Sequence, residues 1–173
     1  MNQFIAITFI LFSSLFSSTT TYADELLEEF ERINNFHFVS KLLASSGMLE
    51  LDDYQHIKNY GFKHVINLIP GLQLKEKRHV ESLGMSYQQI PVIWATPTLH
   101  NFEQFSTFMK SYGDDKTYVH CELNWRASTF VYLYRVTQLG MSEKKAKQDL
   151  DHIWTPEEQW KEFIVSTLAH YKN

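Results

Sequence analysis

The chain has 173 residues, 44% of them hydrophobic and 15% aromatic, enough for one domain with a sizeable buried core. Its 16 lysines and arginines face 20 acids, a net charge of −4, which argues against nucleic acid or an anionic membrane surface as partner. The single cysteine and the eight histidines form no HExxH or paired spacing, so neither a metal nor a cofactor is expected, and no nucleotide P-loop or dinucleotide fingerprint occurs.

Met1 to Ala23 reads as an export signal. Phe4 to Phe16 is apolar apart from Thr8, Ser13 and Ser14, too short to span a bilayer comfortably, and Thr21-Tyr22-Ala23 offers small residues where a signal peptidase reads, although the first residues carry no lysine or arginine. The mature domain is then 24–173, periplasmic or secreted, without membrane contact beyond the removed segment. Export changes what the lone Cys121 means, because an unpaired cysteine in an oxidising compartment is either buried and inert or kept for chemistry.

Asp24 to Asn34 suggests a short helix with Leu26, Leu27, Phe30 and Ile33 on one face, and Phe36 to Val39 a strand. Ala44 to Gly47 reads as a turn, and Asp52 or Asp53 can cap a helix running to Tyr60, ended by Gly61. Phe62 to Leu68 is a strong strand closed by Pro70-Gly71, Lys75 to Leu83 a surface helix ended by Gly84, and Ser86 to Val92 another strand. Ile93 to His100 is a loop with Trp94, Thr96, Pro97 and Thr98, followed by a helix carrying Phe102, Phe105, Phe108, Met109 and Tyr112, and then a turn at Asp114 and Asp115.

Thr117 to Ser128 reads Thr-Tyr-Val-His-Cys-Glu-Leu-Asn-Trp-Arg-Ala-Ser: a strand into His120, a tight loop from Cys121, and a helix start at Arg126. Amides turned inward between a strand end and a helix start form an anion-binding nest with the helix dipole behind it. Those donors and Arg126 would stabilise a thiolate at Cys121. A cysteine ending a buried strand is often only a small hydrophobe. Against that, Arg126 at a helix start is unfavourable unless an anion compensates it. Further on, Phe130, Val131, Leu133, Tyr134 and Val136 give a buried helix face stopped by Gly140, and Ser142 starts a helix through Ile153. Thr155, Pro156 and Glu158 suggest a capping box for a last helix burying Trp160, Phe163, Ile164 and Leu168.

The segment resembles the signature loop of cysteine-dependent phosphatases: His-Cys, a short variable run, then Arg and a hydroxyl residue, here His120, Cys121, Arg126 and Ser128. The resemblance implies Cys121 as nucleophile, the amides from Glu122 through Leu123, Asn124 and Trp125 to Arg126 as phosphate-binding donors, Arg126 as their partner, and Ser128 assisting the thiolate as leaving group. His120 would support the loop. Tyrosine and dual-specificity phosphatases place five residues between the cysteine and the arginine, whereas Glu122, Leu123, Asn124 and Trp125 make four. The shorter spacing resembles bacterial phosphatase-like proteins related to the domain beside beta-lactamase-like hydrolases, and also the rhodanese sulfurtransferases. Both tend to have glycine where Asn124 stands, and asparagine is among the best non-glycine residues at positive φ. The phosphatase resemblance also implies an acid on the loop after Val92, but no aspartate occurs between Asp53 and Asp114; His100 and Glu103 are the nearest titratable substitutes.

Strands alternating with helices, with the loop at a strand's C-terminal end, predict an α/β fold: a three-layer α/β/α domain, cysteine phosphatase-like, with a mainly parallel four- or five-stranded sheet and a site beyond the strand ends. The leading functional expectation is hydrolysis of a phosphorylated small molecule or phosphoprotein, the phosphotyrosine type included, through a cysteinyl-phosphate. Sulfur transfer and an inactive oxyanion-binding module stand beside it. Oligomeric state is not encoded in these features.

Overall fold

The computed structural model describes residues 28–172, so the expected export signal lies outside the described residues. After a helical turn at 28–31 the elements run β1 (His37–Ser40), β2 (Leu43–Ser46), α1 (Asp53–Asn59), β3 (His64–Asn67), α2 (Leu74–Ser82), β4 (Ser86–Gln89), α3 (Leu99–Tyr112), β5 (Thr117–His120), α4 (Trp125–Thr137), α5 (Glu143–Ile153) and α6 (Glu158–Lys172). They form one five-stranded sheet of order β1-β2-β5-β3-β4, parallel throughout except for the antiparallel edge pair β1 and β2. The α/β architecture expected from the alternation is the one observed.

Side chains alternate across each strand and divide the core in two. On one face Ile66 and Val119 pack with Phe102 and Phe105 of α3, Phe130 and Leu133 of α4, Leu150 of α5 and Trp160 of α6. On the other, Val65 and Tyr118 pack with Phe30, Tyr54 and Ile57 of α1, and Val80 of α2. The sheet is thus covered on both sides, as parallel strands require.

Two local readings need correction. Residues Ala44 to Gly47 are not a turn: Leu43–Ser46 is a fully buried strand between β1 and β5. Its short Leu-Ala-Ser-Ser run mimics loop composition, yet small side chains suit a central strand, and the Ser46 hydroxyl is satisfied by the Gly47 carbonyl at 2.7 Å. The last helix starts at Glu158, where the Trp160 and Lys161 amides donate to the Glu157 carbonyl, so Thr155 and Pro156 precede it rather than cap it. By contrast α3 has a full capping box, Thr98 and Asn101 satisfying each other's amides, which anchors the loop carrying Trp94.

Candidate active site

At the end of β5 the Cys121 amide donates to the Ser46 carbonyl at 3.2 Å, after which the chain turns sharply. Asn124 takes φ 65° and ψ 2°, reversing the backbone so that α4 can begin at Trp125. Asn35 and Asn124 are the non-glycine residues with positive φ among the described residues, and they hold each other. The Asn124 side-chain amide donates to the Asn35 carbonyl at 2.6 Å, and that of Asn35 to the Leu123 carbonyl at 3.0 Å. Asparagine tolerates the left-handed region and here also supplies the tie that glycine would lack. The end of β2 completes the support: the Met48 amide donates to the Glu122 carbonyl at 3.0 Å and the Gly47 amide to Asn34 at 2.7 Å. A Cβ at Gly47 would stand 2.8 Å from the Glu122 carbonyl oxygen and 2.9 Å from that of Asn34, so this close approach requires glycine.

Trp94, Cys121, Glu122, Leu123, Trp125 and Arg126 line a cavity of about 140 Å³. A water's share of liquid volume is about 30 Å³, so a phosphoryl-sized group fits. Arg126 is 5% exposed. Its Nη2 donates to the Glu122 carboxylate at 2.8 Å, while Nε and Nη1 are buried without a partner among the described residues. Buried unpaired donors are costly, the more so when charged. The guanidinium carbon lies 5.9 Å from the Trp94 ring centre, and the first turn of α4 carries no acidic residue. Charge, free donors and helix dipole all call for an anion here.

Behind the loop sits a buried polar network. His120 is 1% exposed; its Nε2 lies 2.8 Å from Glu76 Oε1 and 3.3 Å from the Tyr54 hydroxyl. The Asn67 amide reaches both Glu76 oxygens, at 3.0 and 2.8 Å, and Asn67 Oδ1 accepts the Ile69 amide at 2.6 Å. Burial works to raise the Glu76 carboxyl, but hydrogen bonds from His120, Tyr54 and Asn67 and the His120 charge outweigh it and hold the group below its ordinary value. Burial, with the Glu76 charge adding to it, pushes the Tyr54 phenol far up, so the hydroxyl stays protonated as a donor. A lowered carboxylate contributes stability that is full above its unfolded value and disappears as pH falls through its folded one. Glu76→Ala is therefore expected to destabilise the protein by about 3 kcal/mol near neutrality. In urea unfolding, the gap between the two proteins should close in acid.

Ser128, although in the first turns of α4, donates to the Trp125 carbonyl at 3.2 Å and is not among the cavity-lining residues. His100 and Glu103 line a separate surface groove with Gln104, Thr107 and Phe108; the carboxyl in the cavity is that of Glu122. Sequence reasoning missed Asn35, Gly47, Tyr54, Asn67 and Glu76. The usable signals were Asn-Asn before the first strand and a glycine directly after β2. Among the described residues no group of three or more histidines, cysteines or acids is placed to hold a metal, and no helix is long and apolar enough to cross a membrane.

No protein-family model and no curated protein matches the chain. Solved structures do. A candidate phosphatase (DUF442) from Shewanella putrefaciens CN-32 is 28% identical with a TM-score of 0.75, over 84% of this chain and 98% of that one. The core catalytic domain of the PP-IP phosphatase SIW14 from S. cerevisiae is 13% identical with a TM-score of 0.65, over 80% of this chain and 94% of that one. P. aeruginosa TpbA is 13% identical with a TM-score of 0.63, over 81% and 92%. The last two share the fold, which is that of the cysteine phosphatases.

Proposed function

We propose that this is an exported cysteine-dependent phosphatase that hydrolyses phosphomonoesters through a cysteinyl-phosphate on Cys121. The observation that carries the reading is the buried Arg126, with two guanidinium nitrogens that have no partner among the described residues, beside Cys121 in one cavity at the start of α4. The 28% identical neighbour described as a candidate phosphatase supports it, and export rests on the apolar stretch Phe4 to Phe16.

In the first step the Cys121 thiolate attacks phosphorus, the S–P bond forms and the ester P–O bond breaks, releasing the alcohol oxygen with its electron pair. The loop amides and Arg126 stabilise the charge spread over the equatorial oxygens. In the second, water attacks phosphorus, the S–P bond breaks, the thiolate returns and inorganic phosphate leaves. With His100 and Glu103 on another groove, esters whose leaving oxygen departs without a donated proton suit the site best. The four-residue spacing from Cys121 to Arg126, with Asn124 at positive φ, supports reading the chain as a relative of the short-loop bacterial group.

Rapid mixing with an aryl phosphate tests the reading. Expected is a burst of one aryl alcohol per chain and a quenched chain heavier by one phosphoryl group on Cys121. The same spacing also fits sulfur transfer, in which Cys121 would carry a persulfide. A sulfur adduct after thiosulfate, with no phosphoryl adduct, would replace the phosphatase reading by that one.

A further inference from the structure

The four tryptophans of the chain meet beside the cavity. Between ring centres Trp94 lies 5.6 Å from Trp125, 5.6 Å from Trp154 and 5.1 Å from Trp160, and Trp125 stacks on Trp154 at 5.2 Å with 7° between planes. Trp94 and Trp125 present this cluster to the cavity next to Leu123. Around it, the segments that follow β2, β3, β4 and β5 carry the exposed side chains of Met48, Leu72, Ile93 and Leu123. Single exposed apolar residues are ordinary. Of these, Leu123 lines the cavity with Trp94 and Trp125, and the three supply apolar walls for whatever the phosphate is attached to.

The charge of the site sets a second condition. Among the described residues Arg126 is the one cation that lines the cavity, and the Glu122 carboxylate already sits on it. Glu122 holds Nη2, the nitrogen shared by both guanidinium edges that can grip an oxyanion with two parallel N–H groups. One phosphoryl group can use Nε, Nη1 and the loop amides. A second phosphate on the same molecule would meet the Glu122 charge with no further lining cation to balance it.

We propose, resting on the phosphatase reading above, that the substrate is a phosphomonoester whose single phosphate is carried on an aromatic body, and that Glu122 is the residue that rejects esters bearing a second phosphate. Glu122 is a specificity residue in this proposal, and its half-exposed side chain, 51% accessible, makes Glu122→Gln a mild change for folding.

The test uses a matched pair, a naphthyl monophosphate and the naphthalene bisphosphate, with kcat/KM measured for the wild-type protein and for Glu122→Gln. The wild type should favour the monophosphate at least about tenfold, and Glu122→Gln should bring the ratio to near parity. An unchanged ratio in the variant would overturn the role of Glu122. Binding to Cys121→Ser by calorimetry keeps the proposal testable without turnover: the naphthyl ester should bind at least about tenfold more tightly than inorganic phosphate, and equal affinities would overturn the aromatic substrate. Hydrolysis of neither ester by the wild-type protein, with the binding preferences intact, would remove the phosphatase reading and leave the ligand class standing.

Discussion

Cys121→Ser is expected to lower aryl-phosphate turnover by about 10⁴-fold or more, since the proposed mechanism makes Cys121 the nucleophile and its loss removes the covalent route. Phosphate affinity should stay within a few-fold of wild type. The separation follows from the geometry. In the proposed mechanism binding rests on the loop amides and Arg126, whereas Cys121 contributes its sulfur only to bond formation. The side chain is buried, 1% exposed, and a serine oxygen in its place is smaller, so the loop should keep its shape. Turnover and affinity are read on one preparation, by initial rates and by calorimetry with inorganic phosphate. Hydrolysis that survives the substitution would place the chemistry elsewhere.

Arg126→Lys is expected to fail in the other way, losing phosphate binding and lowering kcat/KM by roughly 10²–10³-fold. An ammonium keeps the charge but not the plane of donors. At this position one nitrogen serves Glu122 while two have no partner among the described residues, and a lysine cannot both hold Glu122 and reach an anion in that fixed geometry. Its compact charge is also more strongly hydrated than a guanidinium, so its burial costs more. The measurement is the same pair of assays. Equal affinity in the lysine variant would show that Arg126 is a structural partner of Glu122 and not an anion donor.

The fold was legible where hydrophobic period and breakers agreed. Val65-Ile66-Asn67-Leu68 before Pro70-Gly71, and Tyr118-Val119 running into His120, could only be strands of a covered sheet. β2 was not legible because Ala44, Ser45 and Ser46 carry a loop's composition, and their burial depends on neighbours that no local pattern announces. The positive φ of Asn124 was readable from its place in the loop, where the resembled families carry glycine, and from asparagine's tolerance of that region. Its partner was not: Asn35 lies 89 residues away, and Glu76 lies 44 residues from His120. Periodicity reports which face a side chain takes, but it carries no information on which distant polar group it will meet there.

The tie between Asn35 and the loop orders events in time. The contact from Asn35 to Leu123 spans 88 residues, so the nest cannot take its final shape until the segment before β1 has docked against a chain already folded through β5. Long closures of this kind are slow and come after local packing. A refolding chain should therefore recover its helical ellipticity before it recovers affinity for phosphate, leaving a species with native helices that is transiently blind to its ligand.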